Sequence, residues 1–218
     1  MTALELVNRL LQDGPPKRDR GEASVAAVRL VVPICIAMLA ACTHVATSGD
    51  IEELRVAPYA DTPSPIVTEM LKLARVGPGD YVVDLGSGDG RLVITAVKDF
   101  GARAGLGVDI NERLVAYATA SAASSGVADR AKFVTRDLFA TDISGATVVT
   151  VYLFPAVMGR LRDKLLAELA PGTRVVSHDF PFPRWSVDRV ATFAAPEKDD
   201  TVGRRDAVVY LYTVPPRH

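Results

Sequence analysis

The run Val82-Val83-Asp84-Leu85-Gly86-Ser87-Gly88-Asp89-Gly90-Arg91 carries an apolar stretch into glycines at alternate positions. Glycines let a backbone pass close to a ligand, and the start of a following helix offers unpaired N–H groups to it. Such a turn alone is weak evidence, because many α/β chains need one simply to reverse direction. The spacing narrows the choice: a dinucleotide fingerprint requires G-x-G-x-x-G, and here Arg91 stands in the place of the third glycine, which disfavours a nicotinamide oxidoreductase. Further on, Gly107-Val108-Asp109-Ile110 places Asp109 at the end of a second apolar stretch. A carboxylate there accepts hydrogen bonds from both hydroxyls of a ribose and repels a 2′-phosphate, so the ligand is a nucleoside without one, and adenosine fits. An isolated loop aspartate would be read as solvated. Its position after the glycine turn favours the ligand instead.

Two later segments bring polar groups to the same edge. Val148-Val149-Thr150-Val151-Tyr152-Leu153-Phe154-Pro155 ends in Tyr152 and Pro155, which are candidates for lining an entrance, although an aromatic on a buried strand is as readily a core residue. Val175-Val176-Ser177-His178-Asp179-Phe180 ends in a His-Asp pair. A lone histidine is ordinarily a structural residue bonded to backbone, but the pair is placed to contact substrate, Asp179 more so than His178. Nothing clusters with them to indicate a metal.

The elements that position these residues alternate strand and helix. Ser64-Pro65 reads as a cap with proline in the first turn, and Val67, Met70, Leu71 and Ala74 follow at helical spacing until Gly77-Pro78-Gly79. Strands are predicted at Tyr81–Leu85, Gly105–Ile110, Lys132–Arg136, Thr147–Leu153 and Arg174–Ser177, with helices from Leu92 to Val97, Glu112 to Ala123 and Pro155 to Leu169. Strands so apolar, without alternation, are buried on both faces, which predicts a parallel sheet between helical layers. Arg189–Ala194 and Asp206–Val214, joined only by the loop Ala195–Arg205, are predicted to close the chain as an antiparallel pair. The fold class is α/β, a seven-strand Rossmann-like sheet.

The run from Asp84 to Arg91 resembles motif I of class I S-adenosylmethionine-dependent methyltransferases. Together with Ala57-Pro58-Tyr59-Ala60-Asp61-Thr62-Pro63, Tyr152-Leu153-Phe154-Pro155 and Ser177-His178-Asp179-Phe180, it is similar to the bacterial group related to the ATP synthase c-subunit lysine N-methyltransferases. The likeness covers residue 54 onward. It implies S-adenosyl-L-methionine as cofactor, held by Asp84, Gly86, Ser87, Gly88, Asp89 and Asp109. It also implies that Asp137 meets the adenine amino group and the backbone N–H of Leu138 the ring. Tyr59 and Thr62 carry over as cofactor contacts from a lead-in that usually reads proline, tyrosine, valine, proline, threonine, proline; here Ala60-Asp61 replaces the middle pair. Tyr152, Pro155, Asp179 and His178 are the catalytic candidates. Amino-methylating relatives often carry an acidic or amide side chain at the fourth strand end, and this chain has none there.

The implied reaction is in-line displacement of the methyl group by an acceptor lone pair, in which positioning and exclusion of water do most of the work, so few conspicuous catalytic side chains are expected. A protein lysine amine is the acceptor by analogy. Methylation of a small molecule or a lipid-borne group, and nucleoside binding without catalysis, are the rival readings. With 25 basic and 26 acidic residues among 218, the chain gives no electrostatic reason to expect nucleic acid as a partner. A monomer is expected.

One catalytic domain, 54–218, fits this length. Residues 1–29 read as a disordered leader, or as the product of a misplaced start codon with translation truly beginning near Val25 or Val28. Residues 30–42 form an apolar run shorter than a membrane span and suited to a signal peptide or an anchor. Leu39-Ala40-Ala41-Cys42 resembles a bacterial lipoprotein processing site, which would make Cys42 a lipid anchor, and 43–53 is a linker. Basic residues before the run and acidic ones after it orient the domain outward, whereas the cofactor is made in the cytoplasm. With no membrane attachment, as after a misplaced start codon, the domain would be cytoplasmic.

Overall fold

Residues 61–196 and 205–217 are described by the computed structural model. Tyr59 and the whole apolar run ending at Cys42 lie outside them. Helix α1 (Ser64–Leu73) turns Ile66, Val67, Met70 and Leu71 inward, as their helical spacing requires. Its cap is Pro63 rather than Ser64, which becomes the first helical residue and makes no side-chain capping bond. The chain then alternates through β1 (Tyr81–Leu85), α2 (Arg91–Lys98), β2 (Ala104–Asp109), α3 (Glu112–Ser124) and β3 (Ala131–Thr135). A single 3₁₀ turn, Leu138–Ala140, leads to β4 (Val148–Val151), α4 (Pro155–Glu168), β5 (Arg174–His178), β6 (Arg189–Ala194) and β7 (Asp206–Thr213).

The seven strands form one sheet in the order β3-β2-β1-β4-β5-β7-β6. All neighbouring pairs from β3 to β5 are parallel, while β7 runs antiparallel to both β5 and β6. The terminal pair is thus antiparallel as expected, but only β7 opposes the rest of the sheet, inserted between β5 and β6. The reason lies in composition: β7 buries Ala207, Val208, Val209 and Tyr212, whereas most of β6, including Val190, is exposed, so the more apolar strand takes the inner place. The central strands β1, β4 and β5 are buried along almost their whole length, and the edge strands β3 and β6 are not.

Successive residues of each central strand face opposite layers. Val82, Val148 and Val176 pack with α1 and α2 on one side, and Val83, Val149 and Val175 with Met158, Leu161 and Leu165 of α4 on the other. At the amino edge of the sheet Asp80 accepts from Gly77 N and from Thr147 Oγ1 and pairs with Arg174, tying β1, β4 and β5 together on the side away from the glycine turn. Strand β4 stops at Val151, two residues short of its apolar run. Its register partner Leu85 is the last residue of β1, because Gly86 turns the chain away at φ +84°.

Candidate functional site

The order β2-β1-β4 reverses the direction of winding at β1, and the crevice beyond the carboxyl ends of β1 and β4 is where open α/β sheets bind ligands. Gly86, Gly88 and Gly90, at φ +84°, +52° and +83°, fold the chain from β1 into α2 in left-handed conformations that glycine adopts without steric cost. A Cβ on Gly86 would stand 2.9 Å from Leu153, and one on Gly90 would stand 2.6 Å from Phe133 and 2.8 Å from Ala118. The turn is therefore packed too closely against its neighbours to admit side chains at these two positions. Gly86 N and Ser87 N both donate to Val108 O, locking the turn to β2. Ser87 Oγ is buried and has no hydrogen-bond partner among the described residues.

Asp109 links the two strand ends: Oδ2 accepts from Gly88 N at 2.9 Å and Oδ1 from Asn111 N at 2.8 Å. An ionised carboxylate has about four acceptor sites, so lone pairs remain for the two hydroxyls of a ribose. Asn111 in turn caps α3, accepting from Arg113 N and Leu114 N. Asp137 is exposed after β3 and uses Oδ1 to cap the 3₁₀ turn through Phe139 N, 2.7 Å, while half-buried Leu138 begins that turn and packs toward the core. Asp84 near the end of β1, Asp109 at the end of β2 and Asp137 just after β3 thus lie along one edge of three adjacent strands.

Asp84 is buried, and Thr150, its register partner on β4, donates Oγ1–H to Oδ1 at 2.7 Å. Burial pushes this carboxyl up to about 7; the Thr150 bond opposes the rise, and the neighbouring carboxylates of Asp109 and Asp89 add to it. Three acidic groups around a tight turn favour a ligand bearing positive charge. Thr150 escaped the sequence reading, yet it is the one hydroxyl in an otherwise all-valine strand, and that break in the pattern was its signal.

Beyond β4 and β5 the aromatic side chains gather. Tyr152 is half-buried, with its hydroxyl 3.3 Å from Asp179 Oδ2 and its ring centroid 4.0 Å from that of His178 and 6.4 Å from that of Phe180. Phe154, 40% exposed, stands 6.3 Å from Phe180 across the opening, and Pro155 is exposed at the start of α4. Asp179 is buried at φ +62°, a strained conformation for a residue with a side chain; its backbone and Oδ1 are held by Val208 of β7. Burial first, and the Asp179 carboxylate second, push the Tyr152 phenol far above its usual range, so it stays protonated and acts as a donor. His178 is fully buried beneath Tyr152, with Nδ1 3.1 Å from Thr62 Oγ1. Its place is behind the opening and not at its rim. Phe180 and Arg91 are further members of the site that the sequence reading did not single out.

The pattern that defines the ANTKMT methyltransferase domain matches residues 84–189. A protein-lysine N-methyltransferase of Saccharolobus islandicus is 43% identical over 157 residues, 72% of this chain and 93% of the relative. The mouse adenine nucleotide translocase lysine N-methyltransferase is 40% identical over 59% of this chain, and the chain spans 55% of that relative's length. Among solved structures, an RNA methyltransferase from Salinibacter ruber in complex with S-adenosyl-L-homocysteine is 45% identical with a TM-score of 0.64, covering 72% of this chain and 95% of that one.

Proposed function

Given that the chain belongs to the ANTKMT methyltransferase domain family of S-adenosylmethionine-dependent methyltransferases, we propose that its methyl acceptor is the side-chain amine of a protein lysine. One observation carries this reading: a single buried carboxylate, Asp179, sits at the base of an aromatic opening formed by Tyr152, Phe154 and Phe180. That combination suits a long apolar side chain ending in an amine. The Saccharolobus and mouse relatives, both lysine methyltransferases by name, support the same acceptor.

The residues fit the cofactor, which supplies a methyl group on a cationic sulfur. Asp109 retains acceptor sites for ribose hydroxyls, the glycine turn carries the chain from β1 into α2 in a space closed by Leu153, Phe133 and Ala118, and buried Asp84 supplies a carboxyl group beside it. Asp137 and Leu138 would bound the adenine, and Thr62 would close over the cofactor. A lysine amine is a nucleophile only after losing a proton, from a solution pKa of about 10.4. An apolar opening favours the neutral amine by desolvation. Asp179 accepts from an amine N–H and aims the lone pair, with Tyr152 donating to the same carboxylate to fix its orientation, while Pro155 shapes the rim. His178 supports Tyr152 from behind and holds Thr62.

The test is transfer of radiolabelled methyl from the cofactor to fractions of bacterial lysate. Label in a discrete protein band, recovered as methyllysine on hydrolysis and at least about tenfold weaker with Asp179→Asn, is the expected outcome. Label in RNA would instead align the chain with the Salinibacter relative, a reading that the net charge of −1 does not favour. Label confined to extractable small molecules would replace lysine as the acceptor.

We also propose that residues 30–42 attach the chain to a membrane through lipidated Cys42 and that the domain works as a monomer. The apolar run and its Leu-Ala-Ala-Cys ending support attachment. Among the described residues no helix is long and apolar enough to cross a membrane. Cys42→Ser should move the protein from the detergent phase to the aqueous phase. A natural product whose first residue lies near Val28 and ends up in the aqueous phase without any substitution would refute the attachment.

A further inference from the structure

Arg91 opens α2, where a cation stands against the helix dipole and is unfavourable unless something else holds it. Its guanidinium is held on two sides. Nε donates to both oxygens of Asp89 at 2.9 Å and Nη2 to Oδ2 at 2.6 Å, a forked pairing with the glycine turn. Nη1 reaches 2.7 Å to Thr62 O and 2.7 Å to Asp61 Oδ2, both on the segment that leads into α1. Thr62 is buried, and its hydroxyl meets His178 at the end of β5.

Thr62 is therefore tied to the helix that follows β1 by its carbonyl and to β5 by its side chain. β4 lies between those two strands, and at about 4.8 Å per strand the tie spans roughly 10 Å across the carboxyl edge. The segment 61–63 crosses the crevice as a strap, and one guanidinium joins it to the turn beneath.

We propose that Arg91 is a positioning residue for cofactor binding. Through Asp89 it is fixed to the glycine turn, and through Asp61 and Thr62 it fastens the strap over the cofactor, so that strap and turn close as one unit. The Asp61 carboxylate supplies a second acceptor for the same fork. Arg91 touches no reacting atom. Its effect falls on cofactor affinity and not on the chemical step. The inference rests on the cofactor site and is independent of which acceptor is methylated.

Calorimetric titration of S-adenosylhomocysteine into the full chain tests it, using Arg91→Gln, Arg91→Lys, Asp61→Asn and the double variant Asp61→Asn/Arg91→Gln. Arg91→Gln should weaken binding about tenfold or more, and Arg91→Lys nearly as much, because an ammonium cannot serve both acceptor sets in one plane. Asp61→Asn should cost roughly threefold, and the double variant should bind no more weakly than Arg91→Gln within about twofold, the mark of residues acting through one contact. In steady-state assays KM for the cofactor should rise with kcat nearly unchanged. If Arg91→Gln does not fold, half-exposed Asp61→Asn carries the test, since its loss of affinity should fade relative to wild type as ionic strength rises to about 1 M. Wild-type affinity in Asp61→Asn at low salt, additive losses in the double variant, or a fall in kcat without a change in KM would each overturn the proposal.

Discussion

Asp84 keeps an ionisable carboxyl at 3% exposure beside two other carboxylates, which makes its protonation a property of the fold. Its carboxyl is raised from 3.8 to about 7, so the folded state holds a proton that the unfolded chain has already released between those values. A raised folded value contributes stability that is fully present below pH 3.8 and is lost as pH rises through about 7. At about 1.36 kcal/mol for each unit, the contribution is on the order of a few kcal/mol. Urea unfolding of the ligand-free protein should therefore show this part of its stability declining from about pH 4 to about pH 7 and levelling off above that, and Asp84→Asn should remove that decline together with cofactor binding. Thr150→Val, which keeps shape but deletes the opposing hydrogen bond, should move the transition to higher pH, and Thr150→Ser should restore it. Cofactor affinity has the opposite dependence, strengthening as the carboxylate ionises to meet a cationic ligand. The visible signal in the sequence was Asp84 beside the glycines; its partner Thr150 lies 66 residues away and meets it only because β1 and β4 pair in parallel register.

At the scale of elements, the strand–turn–helix unit was readable because glycine spacing and apolar runs are local properties. Where each strand ends was not, since an edge depends on the neighbour. The apolar run continues past Val151 to Leu153, but on the β1 side β4 has no partner beyond Leu85, and Leu153 packs instead against the Gly86 turn. Gly107 shows how tightly turn and sheet are fitted: a Cβ there would lie 2.4 Å from Phe133 and 2.7 Å from Ser87 Oγ. Gly107→Ala should cost about 1–3 kcal/mol in urea unfolding, because the Phe133 ring must leave its place, and should weaken cofactor binding by displacing the Ser87 turn. A variant as stable as wild type would mean that Phe133 relocates freely, and the turn would not be packed as described.

Over the whole molecule, the site is an assembly of loops from β1, β2, β3, β4 and β5 on one edge, and a ligand that bridges them holds the sheet together. Saturation with S-adenosylhomocysteine at about 100 times its Kd should raise the unfolding free energy by about 2.7 kcal/mol, and Asp109→Ala should abolish most of the gain. A ligand effect unchanged by that variant would show that the ribose is held elsewhere.

Composition, glycine spacing and apolar periodicity by themselves determined the α/β class, the seven strands and the glycine turn between the first strand and its helix, because each is written in neighbouring positions. Only the tertiary structure decided that β7 enters between β5 and β6, that His178 lies buried behind Tyr152, that Asp179 after β5 meets the Tyr152 hydroxyl after β4, and that Arg91 joins the strap to the turn. Each of those is a contact between residues far apart in the chain. Such contacts are set by which faces win burial and which charges find partners, and no local pattern records either.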